Sequence, residues 1–208
     1  NSMRTLGSSA FFGIILVFFC LLIFLGWRNA LLATWGIPFS FFLTFFLMYY
    51  FDMTLNNLSL FALVLVLGMI VDDAIVVIEN VHRYMEEGFS ATEAAIKGTN
   101  EIMWPVIAAV STTAAAFLPM LIMEGMMGKF MRVFPIVVSI ALLSSLIESL
   151  VVLPSHLADF AKVKLDDTKT KKKVPLHSFL LRYYRRILVA ALRHRILSVV
   201  LIGFTAIL

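Results

Sequence analysis

Two adjacent carboxylates, Asp72 and Asp73, sit inside the apolar run LSLFALVLVLGMIVDDAIVVIENV, residues Leu58 to Val81. At 1.5 Å of rise per helical residue, about 20 residues cross the roughly 30 Å hydrocarbon layer of a bilayer. Leu58 to Ile78 therefore reads as a membrane-spanning helix with both acids well inside it. An Asp at the centre of such a helix costs about 2.5 to 3.5 kcal/mol on insertion scales, and each Leu, Ile, Val or Phe returns only about 0.3 to 0.6. Flanking apolar residues can carry the pair across, but the penalty needs a reason.

Two carboxylates at close quarters in low dielectric cannot both stay ionised, so the pair should bind a proton readily. No Lys or Arg falls inside the apolar runs. If a cation from another segment pairs with the acids in one conformation and leaves in another, proton affinity follows shape, as coupling to a proton gradient requires. Successive helical residues point about 100° apart, so the two acids should straddle one face, extended toward the surface by Glu79 and Asn80. Gly68, four residues earlier, should let a neighbouring helix approach that face, which would turn the acids toward protein or trapped water.

Other groups are weaker candidates. Glu148 follows Ser144 and Ser145 near the end of a later apolar run, where it could reach toward water and assist proton transfer. Thr112 and Thr113, with Ser111, lie mid-run, and helix packing accounts for them more simply than a role in transfer. His82 and His156 lack ligand-spaced partners, so neither a metal nor another cofactor is expected. Cys20 and the methionines, Met126 and Met127 among them, read as packing or lipid-facing side chains.

The elements that must position these groups follow from composition. Of 208 residues 61% are hydrophobic and 14% charged, and the mean hydropathy is +0.96, values of an integral membrane protein. The expected fold is all-α, a polytopic transmembrane helix bundle with five full spans: Phe11 to Leu25 extended back through Gly7, Leu31 to Phe51 with a kink at Pro38, Leu58 to Ile78, Ile102 to Met123, and Val133 to Leu153. Asp52 to Asn57 and Glu124 to Arg132 should be links. Gly88 should stop one helix, and Ser90 with Glu93 should cap a short surface helix before Ile102.

Residues 1–158 thus form the bundle, and 159–175 a charged cytoplasmic linker. Residues 176–194 should form an amphipathic helix lying in the membrane surface with Arg182, Arg185 and Arg186 near lipid phosphates, and 195–208 begin another span. Of the 17 Lys and Arg residues, fourteen fall on one side of this arrangement and three on the other. The positive-inside rule makes the richer side cytoplasmic and turns the basic excess into an orientation signal, not a nucleic-acid site. The first span then runs inward, which suggests sequence ahead of Met3, as the short last run suggests sequence beyond Leu208.

The run GMIVDDAIVVIENVHRYMEEG, Gly68 to Gly88, closely resembles the fourth transmembrane helix of resistance-nodulation-division (RND) transporters. The likeness continues through FSATEAAIKGTNEI, the TTAAAFLPM of Thr112 to Met120, and VLPSHLADF. It implies a part of a proton-driven exporter of drugs or other amphiphilic compounds in the bacterial inner membrane, running from the family's second helix to the start of its seventh. Asp72 and Asp73 match the family's proton-carrying aspartates. Implied partners are protons, the lipid bilayer, a C-terminal transmembrane half that supplies a lysine, two periplasmic portions, a homotrimeric assembly, a periplasmic adaptor and an outer-membrane channel. Glu148 is not part of the drug-pump pattern. Alternatives are a related lipid exporter or secretion-assisting protein, an intramembrane aspartyl protease, whose acids would have to face each other from separate helices, and a membrane scaffold.

Overall fold

A computed structural model describes residues 2–161, 183–189 and 192–193. The chain divides into two compact units, residues 1–163 and 164–208. In the second, residues 183–189 are helical with their side chains exposed, Arg185 and Arg186 among them; the rest of the expected linker, surface helix and final span lies outside the described residues.

The first unit is a helix bundle with no strand among its described residues. Its elements are α1 (Ser2–Leu25), α2 (Trp27–Tyr50), α3 (Asn57–Glu86), α4 (Ala91–Phe117), α5 (Pro119–Ile122), α6 (Gly125–Met131), α7 (Val133–Ile147), a π-helical turn (Glu148–Val152) and α8 (Leu153–Ala161). Four stretches are long and apolar enough to cross a membrane: Asn29–Tyr50, Asn57–Glu86, Ala91–Ile122 and Gly125–Asp159. The fifth expected span corresponds to a shorter apolar stretch among the described residues, Phe11–Ile23, within α1.

The α3 helix is the axis of the unit and packs against α1, α2, α4, α7 and α8. Its buried residues, from Ala62 and Leu63 through Val66, Leu67, Ile70, Val71, Ala74, Val77 and Ile78 to Val81, recur every three or four positions. Two apolar clusters share this axis. One joins Ala62 to Ile70 with Met48 of α2, Val106 and Val110 of α4, and Phe134 to Leu142 of α7. The other joins Leu67 to Val81 with α1, Ala30 to Ile37 of α2, Ala94 and Ala95 of α4, and Leu153 and Leu157 of α8. The aspartates fall where the two clusters meet.

Helix ends are set by local chemistry. Asn56 accepts from Leu58 N–H and Ser59 N–H while Ser59 Oγ accepts from Asn56 N–H, a reciprocal cap on α3. Gly88, at φ 97°, makes the left-handed stop after α3. Ser90 and Glu93 form the expected capping box, but the helix they start does not end before Ile102. The surface helix and the span are one 27-residue helix, α4, which carries Pro105 internally, as α2 carries Pro38. Leu118 separates α4 from α5, with Pro119 in the first turn of α5. The expected link at Glu124 to Arg132 is largely the helix α6.

Helix also continues through Pro154, beyond the expected end of the span at Leu153. Proline has no N–H for the carbonyl four residues back, and its ring crowds that carbonyl. The backbone widens just ahead of it, and Leu153 N–H donates to the Glu148 carbonyl five residues earlier.

Candidate functional site

The two aspartates do not share one environment. Asp72 is exposed, on a stripe of α3 formed by Phe61, Leu65, Gly68, Asp72, Val76 and Glu79, all exposed and spaced by three or four residues. No described residue comes within 4 Å of a Cβ built on Gly68, so no described helix makes the close approach expected there, and Asp72 meets no described neighbour across that face. A single pitch of 100° separates the pair, enough to put one acid on the outer stripe and turn the other inward.

Asp73 is half-buried against α7. Its Oδ2 lies 3.3 Å from Ser145 Oγ, which is also 3.4 Å from the Ile70 carbonyl oxygen on the same α3 turn. A hydroxyl carries one proton, so Ser145 donates to one of these acceptors at a time. The ion pairs His82 with Glu86 and Arg83 with Glu101 involve neither aspartate of the pair.

Glu148 does not reach toward water. It is 2% exposed, seated where α2 presents no side chain, and a Cβ on Gly36 would come within 2.3 Å of its Oε1. Its Oε2 is buried with no hydrogen-bond partner. Ser145, which contacts Asp73, is one helical turn earlier than Glu148 in the chain. The expected position near a helix end is corrected, because helix continues past Glu148 through the π turn and α8.

Thr112 and Thr113 bond back to the Ala108 and Ala109 carbonyls of their own helix at 2.8 and 3.0 Å. Sequence reasoning missed Gly36, whose one signal was a small residue in an otherwise bulky run, and gave Ser145 no role of its own. Asn80 was read as extending the acid face; its amide instead donates to the Gly98 carbonyl at 2.7 Å and to Glu101 at 3.0 Å, tying α3 to α4. No group of three or more metal-ligating side chains occurs among the described residues.

The comparison with known families decides the assignment: the model of the AcrB/AcrD/AcrF family matches residues 1–208. The chain belongs to that family. This AcrB/AcrD/AcrF family membership places it among the RND efflux transporters, which are multi-pass membrane proteins. It is 36% identical over 154 residues to the multidrug resistance protein MdtC of Pectobacterium atrosepticum, covering 74% of this chain and 15% of that protein. To the MdtC of Salmonella arizonae it is 38% identical over 146 residues, covering 70% of this chain and 14% of the relative. This family member therefore spans about a seventh of the length of the curated relatives it matches.

Proposed function

We propose that the chain is the aspartate-bearing part of a proton-driven exporter of drugs or other amphiphilic compounds in the bacterial inner membrane, with Asp72 and Asp73 as its proton site. The observation that carries this is the placement of the pair: two carboxylates midway along a span-length apolar helix, neither ion-paired with a cation among the described residues. Asp73 is held by one weakly placed hydroxyl, and Asp72 sits on an uncovered stripe beside a glycine. That arrangement suits a counter-cation arriving from elsewhere in a longer polypeptide and leaving again as the acids load. The working protein in this reading is a twelve-helix homotrimer with periplasmic portions, a periplasmic adaptor and an outer-membrane channel.

One proton moving down 100 mV supplies about 2.3 kcal/mol, which at about 1.36 kcal/mol per decade sustains roughly a 50-fold gradient of exported compound. Asp72→Asn and Asp73→Asn in the full-length polypeptide, reconstituted in vesicles under an imposed pH gradient, should each abolish that accumulation while the protein stays folded and inserted. Undiminished gradient-driven export by both variants would sink the proposal. The protease alternative needs two carboxyls at one open substrate position; Glu148, buried against Gly36, presents none.

A further inference from the structure

We propose that Glu148 is a second proton-binding group of the transport cycle, exchanging its proton with Asp73 through the hydroxyl of Ser145. The inference rests on the proton-driven reading above and adds a residue on a different helix. Four features of the structure carry it. Glu148 is among the largest fully buried side chains of the unit, in a seat made by the bare backbone of Gly36. Its Oε2 has no donor, so a proton placed there turns an orphaned acceptor into a hydroxyl, whereas no described Lys or Arg pairs with it. A carboxyl kept only to hold helices together would be bonded through both oxygens, since an unpaired buried polar atom costs stability. Finally, the π turn that starts at Glu148 is a deviation found mostly at working sites, and it leaves Glu148 one turn from Ser145, itself in contact with Asp73.

The surroundings hold few competing charges. On α3 the facing group is Asp73, while Asp72 and Glu79 are exposed on its outer stripe. The buried length of α2 from Ala30 to Met48 carries no ionisable side chain, only the hydroxyls of Thr34, Ser40 and Thr44. On α8, His156 and Asp159 are exposed, and the remainder of α7 has no ionisable residue. For the transfer the Glu148 carboxyl, whose Oε2 has no hydrogen-bond partner in the resting arrangement, must turn to Ser145 Oγ; the Oγ proton then passes to Asp73 Oδ2 as the Glu148 carboxyl proton passes to Oγ. Glu148 is left as the carboxylate, Asp73 as the neutral acid and Ser145 unchanged, with no change in total charge.

The test uses the full-length exporter in vesicles, a lipophilic cationic dye as the transported probe, and export rates measured across pH for wild type, Glu148→Gln, Glu148→Asp, Ser145→Ala and Asp73→Asn. Glu148→Gln should export about a hundredfold more slowly. Glu148→Asp should recover part of the rate with a displaced pH profile, and the infrared spectrum of Glu148→Gln should lack one titrating carboxyl band. Wild-type rate and pH profile in Glu148→Gln overturn the proposal. Where Glu148→Gln does not fold, Ser145→Ala decides: a slowed, pH-displaced rate supports the exchange and a wild-type profile overturns it. Normal export by Asp73→Asn removes the proton-carrier reading itself, whereas a stalled Asp73→Asn beside a normal Glu148→Gln removes only the part given to Glu148.

Discussion

Asn80 shows how a polar residue beside a charged site can serve structure. Its amide donates to the Gly98 carbonyl and to Glu101, and its own carbonyl oxygen accepts from Arg83 Nε at 3.1 Å; Arg83 also pairs with Glu101. Four polar groups thus fasten the last turns of α3 to the first turns of α4, just beyond the apolar core. Removing one member leaves the others short of partners, so Asn80→Ala should lower unfolding stability by about 1 to 3 kcal/mol. Thermal unfolding of the full-length protein in detergent checks this, and export scaled to folded protein should be little changed. Asp72 and Asp73 could be picked out from the sequence, because a charge in an apolar run is visible without knowing what lies beside it. The role of Asn80 could not, since it depends on a glycine 18 positions away.

Helices of this chain approach one another where side chains are missing. A Cβ on Gly98 would lie 2.9 Å from the Cα of Val81, a clash with backbone that cannot rotate away. Gly98→Ala should therefore push α4 off α3 and lower stability by about 1 to 3 kcal/mol, read as a reduced unfolding temperature. Gly36 meets the far end of a flexible side chain instead. Gly36→Ala alone should displace the Glu148 carboxyl and destabilise, whereas in a Glu148→Ala background the same change should be nearly neutral. A double-mutant cycle of unfolding free energies should give a coupling of about 0.5 to 3 kcal/mol. Additive effects would mean that the two positions do not share the space. The all-helical class, the caps and the Gly88 stop were legible because apolar runs and capping residues act within a few positions. The wide turn at Glu148, the continuation through Pro154 and the fusion of the surface helix with α4 were not, because tertiary packing set them. Leu153 and Leu157, 1% and 5% exposed, hold α8 in the core beyond the proline.

Along the outer stripe of α3 in the first unit, Phe61, Leu65 and Val76 are exposed at 51, 38 and 46% on either side of Gly68 and Asp72. If another part of the full-length polypeptide covers that stripe, Gly68→Leu should disrupt a close helix contact and reduce both unfolding temperature and export. If lipid covers it, the added side chain should be harmless, and the two measurements separate these cases. Family membership and an all-helical fold were readable from sequence because the motif around the acids is contiguous, while the bareness of the stripe belongs to the three-dimensional arrangement. That bareness has a consequence for assembly. A purely oily face would accept an incoming helix at many heights, but an acid at mid-span accepts one height only. Sliding by a single turn, about 5.4 Å, would strand a carboxylate opposite hydrocarbon at a cost of a few kcal/mol. Asp72 would then act as a key that sets the vertical alignment of its neighbour before any gradient is applied.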